Sequence, residues 1–161
     1  MYRYCKIESP VGLIIFYFNE KYVFKIHFDK QKGIISPSKN YTDPSNYPIS
    51  KLVRAQIDEY FSLKRRCFRL PIRLEGTNFQ KKVWAQVSKI AYGATASYTY
   101  IAQAIGKKNS VRAVANTIGN NPMSIVIPCH RVIGMNGMLT GYAGGLAIKS
   151  TLLQLESKDL D

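Results

Sequence analysis

The sequence predicts an α/β N-terminal subdomain, with a small antiparallel sheet and one helix, followed by a mostly helical C-terminal subdomain with a winged-helix-like helix-turn-helix. Apolar segments typical of strands occupy the first thirty residues, and apolar residues recur at helical spacing after residue 76. Between the two patterns, Glu75-Gly76 is typical of a boundary. We therefore expect an N-terminal supporting domain over 1–75 and a C-terminal functional domain over 76–161.

The N-terminal segments have the composition of β-strands and of one helix. Turn-forming residues separate three expected strands, which cover Tyr2–Ile7, Leu13–Phe18 and Tyr22–Phe28. Ser, Pro, Asn and Tyr dominate residues 33–48, which predicts a loop. Apolar residues then recur at helical spacing, so we expect a helix over about 50–63 and an extended segment over 66–74.

The C-terminal subdomain opens with a well-marked helix start. Thr77 precedes Gln80 by three residues, which is the capping-box pattern. Two short helices are expected next, over 98–105 and from a cap at Ser110 to Gly119, with lysines in a connection of about four residues. This pair indicates a helix-turn-helix, although an ordinary helical hairpin packed in a core has the same pattern. A buried connection and a final amphipathic helix ending near Glu156 complete the domain.

The charge distribution favours a polyanionic partner. The net charge is +13, and no Asp or Glu occurs between Gly76 and Leu155. Nucleic acid and an anionic membrane surface both fit this charge, and a generally basic proteome or a heat-adapted surface is the alternative explanation. No apolar stretch approaches the roughly 18 residues needed to span a bilayer, and no secretion signal is evident, so we expect a soluble cytoplasmic protein without membrane association.

Cys129 and His130 form the strongest chemical feature of the sequence. Pro128 restricts the backbone that leads into the cysteine, and the adjacent imidazole is suited to take the thiol proton, directly or through a water. An orienting carboxylate would make this histidine a better base. Within the C-terminal subdomain only Glu156, Asp159 and Asp161 carry one, and Glu156 is the one on a predicted helix. The alternative is that Cys129 is a small buried hydrophobe and His130 a core histidine.

Five segments resemble, in the right order and with compatible spacing, the O6-alkylguanine-DNA alkyltransferase family. They are GTNFQKKVW (76–84), SYTYIAQAIG (97–106), RAV (112–114), NPMSIVIPCHRV (121–132) and GYAGGLAIKSTLLQLE (141–156). PCHRV is highly specific, whereas the N-terminal half shares only the general strand-then-helix layout. The resemblance implies a monomer without a cofactor that binds double-stranded DNA containing O6-alkylguanine and moves the alkyl group onto its own cysteine, once per molecule.

The resemblance also implies roles for individual residues. Cys129 would accept the alkyl group, His130 would act through water as its base, and Glu156 would hold the histidine. Asn121 would organise the turn before the site. Tyr98 would donate a proton or hydrogen bond to guanine N3, where displacement of the base leaves negative charge.

Residues that contact DNA follow from the same resemblance. Arg112 would fill the gap left when the damaged nucleotide rotates out of the duplex, and small residues would let its helix approach the minor groove. The expected DNA contacts are Tyr98, Thr99, Arg112, Ala113 and Ala115. The expected base pocket comprises Val132, Tyr142, Ala143 and Gly144, with backbone carbonyls near Cys129 and Val132 reading the amino group of the base.

Three features depart from the family pattern. Many relatives have Gly where Ala115 stands, and some have Ser where Ala143 stands, so one side-chain contact to O6 is in doubt. Some relatives hold a structural zinc in the N-terminal half. Here Cys5, His27 and Cys67 are widely spread and lack the full ligand set, so we expect no metal.

Two other functions remain open at this point. A Cys-His hydrolase would use the same pair with an oxyanion hole and an acyl-enzyme, and would turn over an ester or amide. A helix-turn-helix transcriptional regulator would bind specific DNA sequences, usually as a symmetric dimer, and would be indifferent to replacement of Cys129 by Ser.

Overall fold

A three-stranded antiparallel sheet forms the N-terminal part of the computed structural model, which describes residues 3–29, 31 and 46–160. Its strands are β1 (Arg3–Ile7), β2 (Ile14–Phe18) and β3 (Val23–Phe28), in the order β1-β2-β3. Gly12, at a φ of +107°, closes the first turn, where its N–H donates to the Ser9 carbonyl at 3.0 Å. The predicted sheet is confirmed, and most of the loop predicted over 33–48 lies outside the described residues.

Helix α1 (Pro48–Phe61) adds Val53 and Ile57 to a core shared with the sheet. Pro48 at its first turn fixes a helical φ without losing a needed N–H, which explains why the helix begins earlier than predicted. It ends at Phe61 because Leu63 adopts a left-handed φ of +60°. The chain then passes beside β3, where Arg73 donates to the Val23 carbonyl at 2.9 Å. The segment predicted as extended over 66–74 forms one β-bridge to β3, between Ile72 and Val23, and contains no helix.

The C-terminal part is mostly helical, as predicted. Its elements are α2 (Asn78–Val87), β4 (Ala96–Ser97), α3 (Tyr98–Ala104), α4 (Val111–Gly119), β5 (Val132–Ile133) and α5 (Leu146–Lys158). The capping box is present, because the N–H of Gln80 bonds Thr77 Oγ1 at 3.2 Å and the N–H of Thr77 bonds Gln80 Oε1 at 2.9 Å. Helices α2, α3 and α4 pack together, and β4 pairs with β5 in parallel.

The connection between α3 and α4 differs in detail from the prediction. It comprises residues 105–110 and is longer than the expected four. Ser110 makes no side-chain cap, since its backbone (φ −110°, ψ 29°) lacks the extended conformation that aims a hydroxyl at the first N–H groups. The arrangement of the two helices is consistent with a helix-turn-helix.

A buried connection links α4 to β5 and ties the two parts of the chain together. Ile26 in β3 donates to the Pro122 carbonyl at 2.8 Å, and Ser124 donates back to the Ile26 carbonyl at 2.9 Å. One continuous core results, in which Phe16 and Ile57 of the N-terminal part belong to the same cluster as Trp84 and Leu152. Among the described residues, no helix combines the length and apolar character needed to cross a membrane.

Candidate functional site

Cys129 begins a single 3₁₀ turn, Cys129–Arg131, and is only 5% exposed. Asn121 Nδ2 lies 2.9 Å from Cys129 Sγ and 2.8 Å from the Ile127 carbonyl, while Asn121 Oδ1 accepts from the N–H of Met123 at 2.9 Å. One side chain therefore shapes the connection and directs a donor at the sulfur. Burial raises the pKa of the Cys129 thiol, and this hydrogen bond from Asn121 opposes the increase because it favours the thiolate.

His130 and Glu156 are brought together as predicted, and both are fully buried. His130 Nε2 lies 2.7 Å from Glu156 Oε1. Burial lowers the pKa of His130, whereas the hydrogen bond and charge of Glu156 raise it. Because burial dominates, the ring is neutral at neutral pH, and Nε2 must carry its proton to donate to the carboxylate.

This tautomer leaves His130 Nδ1 with a free lone pair. Nδ1 is buried and makes no hydrogen bond within the described part of the chain. The imidazole ring of His130 makes no direct hydrogen bond to Cys129 among the contacts described. Nδ1 is therefore available as a hydrogen-bond acceptor on the residue that follows Cys129.

The Glu156 carboxylate accepts several further hydrogen bonds. Arg131 donates Nε to Oε2 at 2.9 Å and Nη2 to Oε1 at 3.0 Å. Tyr60 in α1 donates its hydroxyl to Oε1 at 2.7 Å, and the N–H of Gly93 reaches Oε2 at 3.2 Å. Burial alone would raise the pKa of Glu156, but the hydrogen bonds and charges of His130 and Arg131 outweigh it and lower the pKa to about 2. Glu156 is therefore ionised throughout the physiological range.

A cavity of about 630 Å³ lies between α3, α4 and the loop before α5. Its lining includes Tyr98, Arg112, Ala115, Tyr142 and Ala143. Burial raises the pKa of both tyrosines, and proximity to Cys129 raises each further. Two residues of the cavity lining, Tyr98 and Tyr142, therefore lie near Cys129. The volume of the cavity is sufficient for a nucleobase.

Other residues predicted from the sequence lie around this cavity instead of lining it. Thr99 is half-buried on α3, and Ala113 is exposed on α4 beside Arg112. Gly144 faces the sheet: a Cβ added there would come 2.6 Å from Phe28 Cδ2. Val132 is fully buried, and its carbonyl accepts a hydrogen bond from Lys149.

Lys149 is a buried cation within the site. Its ammonium donates to the carbonyls of Val132 at 2.5 Å and Thr140 at 2.8 Å, and lies 5.9 Å from the centre of the Tyr98 ring. Burial lowers its pKa to about 8, and proximity to Cys129 opposes this change. Lys149 thus holds the loop beside the cavity against β5 and places positive charge near the sulfur. No group of three potential metal ligands occurs among residues 3–29, 31 and 46–160.

Comparison with known proteins shows the family of this chain. Two family models match, described as 6-O-methylguanine DNA methyltransferase, ribonuclease-like domain over residues 2–74, and 6-O-methylguanine DNA methyltransferase, DNA binding domain over residues 78–158. The chain belongs to the 6-O-methylguanine DNA methyltransferase family.

Relatives of the family are similar along almost the whole chain. A methylated-DNA–protein-cysteine methyltransferase from Methanosarcina barkeri is 44% identical over 96% of this chain and 96% of its own length. The relative with the same name from Haemophilus influenzae is 36% identical over 95% of this chain and 85% of its own. The crystal structure of Mycobacterium tuberculosis OGT in complex with DNA superposes with a TM-score of 0.88 at 36% identity, covering 98% of this chain and 94% of that one.

Three members of this site were not identified from the sequence. Arg131 was detectable in principle, because a charged residue follows His130 in an otherwise apolar, buried stretch. Lys149 precedes Leu152 and Glu156 by three and seven residues, so it shares their buried helix face. Tyr60 has no such signal, because its spacing marks it only as a core residue of α1 and its partner Glu156 lies 96 residues away.

Proposed function

We propose that the chain repairs DNA by direct reversal, moving the alkyl group from O6 of guanine in double-stranded DNA to Cys129 Sγ. The observation that carries this proposal is a buried thiol, in contact with Asn121 and followed by the His130–Glu156 pair, that lies near two lining residues of a base-sized cavity, Tyr98 and Tyr142. Relatives similar over nearly the full chain are named methylated-DNA–protein-cysteine methyltransferases, which disfavours the hydrolase and regulator alternatives.

The proposed reaction is one displacement at the alkyl carbon. The Cys129 thiol proton passes through a water to His130 Nδ1, which has no protein partner among the described residues. The sulfur then forms a bond to the alkyl carbon as the carbon–O6 bond breaks, and the bonding electron pair stays on guanine. Tyr98 donates toward guanine N3 and stabilises the negative charge that develops there.

Glu156 and Asn121 would assist this displacement without contacting the base. Glu156 fixes the ring and tautomer of His130 and stabilises the imidazolium that forms. Asn121 donates to the sulfur and so favours its anionic form over the thiol. The product is a thioether, which water does not displace at a useful rate, so each molecule reacts once.

Access to the base requires the damaged nucleotide to leave the duplex, at a cost of roughly a few kcal/mol. Arg112 is exposed at the start of α4 and borders the cavity, where it is placed to fill the vacated position. Ala113 and Ala115 are small enough for α4 to approach a minor groove closely. Tyr142 and Ala143 would enclose the extruded base, with Gly144 supporting the loop from behind.

The division into domains over 1–75 and 76–161 belongs to this proposal. It is supported by the two family models, which match on either side of residue 75. A cytoplasmic location and a monomeric state stay predictions from the sequence.

Intact-protein mass spectrometry tests the proposed function. The protein is mixed with a duplex oligonucleotide that contains one O6-methylguanine, and its peptides are then analysed. We expect one added methyl on Cys129, saturating at one per molecule. Cys129→Ser should abolish transfer, whereas Cys67→Ser should not, because Cys67 is an exposed free thiol that makes none of the site contacts described for Cys129. Absence of transfer to a reduced wild-type thiol would disprove the proposal, and turnover of an ester would point to a hydrolase.

A further inference from the structure

The hydroxyl of Tyr60 is a contribution of the N-terminal part to the site. Tyr60 is the penultimate residue of α1 and is fully buried. Its hydroxyl donates to Glu156 Oε1 at 2.7 Å, and the same oxygen lies 2.7 Å from His130 Nε2. The remaining described donors to this carboxylate, Arg131 and Gly93, belong to the C-terminal part.

We propose that Tyr60 is a positioning residue of the alkyl-transfer site, through which the N-terminal part sets the basicity of His130. This inference rests on the proposed function, because it concerns the same thiol, base and carboxylate. It assigns to α1 a chemical task in addition to support of the fold.

The physical reason is competition for one oxygen atom. Each hydrogen bond donated to a carboxylate stabilises its negative charge and weakens it as an acceptor for other donors. With Tyr60 bound to Oε1, less of the negative charge of Glu156 acts on His130. The imidazole then holds an additional proton less firmly and stays neutral, which is the form that accepts a proton from Cys129.

Several other titratable groups surround the Glu156–His130 pair and must be considered in a test of pH dependence. From the elements packed against the pair, they are Tyr60, Tyr92, Cys129, Arg131, Tyr142 and Lys149. Removing the hydroxyl of Tyr60 leaves the other titratable groups in place. A shift in proton affinity that follows this change is therefore attributable to the lost donor.

Tyr60→Phe is the principal variant, because it retains the ring and its contacts with Phe61, Phe68 and Tyr92. The single-turnover transfer rate falls at low pH as His130 becomes protonated, and this part of the pH profile is its acid limb. In Tyr60→Phe we expect the acid limb to shift to higher pH by roughly half to one pH unit. The nitrogen-15 chemical shifts of the His130 ring should follow the same displacement. His27 is the other histidine of the chain and serves as an internal reference.

Tyr92→Phe is the matched control. Tyr92 packs against Tyr60 with ring centroids 6.2 Å apart, but its hydroxyl makes no hydrogen bond to Glu156 among the contacts described. Removing that hydroxyl should leave the acid limb and the His130 shifts at their wild-type positions. A general loosening of the aromatic cluster would affect both variants alike.

A second substitution keeps the inference testable if Tyr60→Phe does not fold. Incorporation of 3-fluorotyrosine at position 60 makes the phenol a stronger donor and should move the acid limb to lower pH. If the wild-type protein transfers the methyl group and the folded variants show an unchanged acid limb, the proposed role of Tyr60 is overturned but the proposed function is not. Failure of the wild-type protein to transfer a methyl would instead disprove the proposed function.

Discussion

Replacement of Glu156 by Gln should sharply destabilise the protein, although the side chain keeps its size. Glu156 is fully buried and accepts from His130, Tyr60, Gly93 and twice from Arg131. The substitution removes the negative charge that compensates the buried guanidinium of Arg131. It also replaces one carboxylate oxygen by an amide NH₂ group, so that a hydrogen-bond donor faces another donor. Breaking a buried ion pair at one partner typically costs about 3–5 kcal/mol.

The pKa of Glu156 leads independently to a similar magnitude. A decrease from 4.5 to about 2 on folding corresponds to about 3 kcal/mol of stability at neutral pH. Because the folded-state pKa is the lower one, this contribution is complete above the unfolded-state pKa and is lost as pH falls toward the folded-state value. The difference in unfolding free energy between wild type and Glu156→Gln should therefore be constant above about pH 5 and shrink toward about pH 2.

Urea unfolding followed by fluorescence of Trp84 is a suitable assay, since Trp84 is the single tryptophan and is 3% exposed. Asp159→Asn provides the control. Its partner Arg66 has a side chain 56% exposed, so loss of this 2.9 Å pair should cost less than about 1 kcal/mol. The corresponding decreases in Tm are roughly 6–20 °C for Glu156→Gln and below about 4 °C for the control. Equal, small losses in the two variants would refute the view that Glu156 compensates a buried charge.

Three further substitutions separate stability from transfer. Asn121→Ala should lower the unfolding free energy by about 2–4 kcal/mol, because it leaves buried backbone groups without a hydrogen-bond partner. It should also slow alkylation of Cys129 at least about tenfold, and a normal transfer rate would show that the hydrogen bond from Asn121 to the sulfur is dispensable. Arg112→Ala should change the unfolding free energy by less than about 0.5 kcal/mol because Arg112 is exposed. It should slow transfer from duplex DNA but not from the free base O6-benzylguanine, and equal slowing of both would count against a role in nucleotide extrusion. Relative to Lys149→Met, the wild type should gain unfolding free energy as pH rises from about 8 to 10.5, because folding lowers the pKa of Lys149. A difference in unfolding free energy between the two proteins that does not change with pH would contradict this prediction.

Local sequence patterns were sufficient for most of the secondary structure and for naming Cys129, His130 and Glu156 as candidate site residues. The three strands and the capping box at Thr77 depend on neighbouring residues, so alternation and spacing identify them. The pairing of His130 with Glu156 was also predictable, because the C-terminal subdomain contains very few acidic residues to choose from.

Element ends and the loop geometry were less predictable, because the backbone conformation of single residues decides them. α1 begins and ends two residues before its expected limits, since Pro48 starts the helix and Leu63 adopts a left-handed conformation. Ser110 has a residue type that suits a helix cap, but its backbone angles prevent the bond. Gly144 was expected in the base pocket, yet tertiary packing places it against Phe28 of the sheet.

The network around Glu156 was decided by tertiary structure alone. Amino-acid spacing marks Tyr60 as apolar core and places Lys149 on the buried face of α5, but it does not identify the partner of either residue. Only folding brings Tyr60 to a carboxylate 96 positions away and Lys149 to a carbonyl 17 positions away. The reason is physical: reactive groups and helix periodicity are local properties of the chain, whereas the proton affinity of a buried group depends on donors and charges that long-range packing places around it.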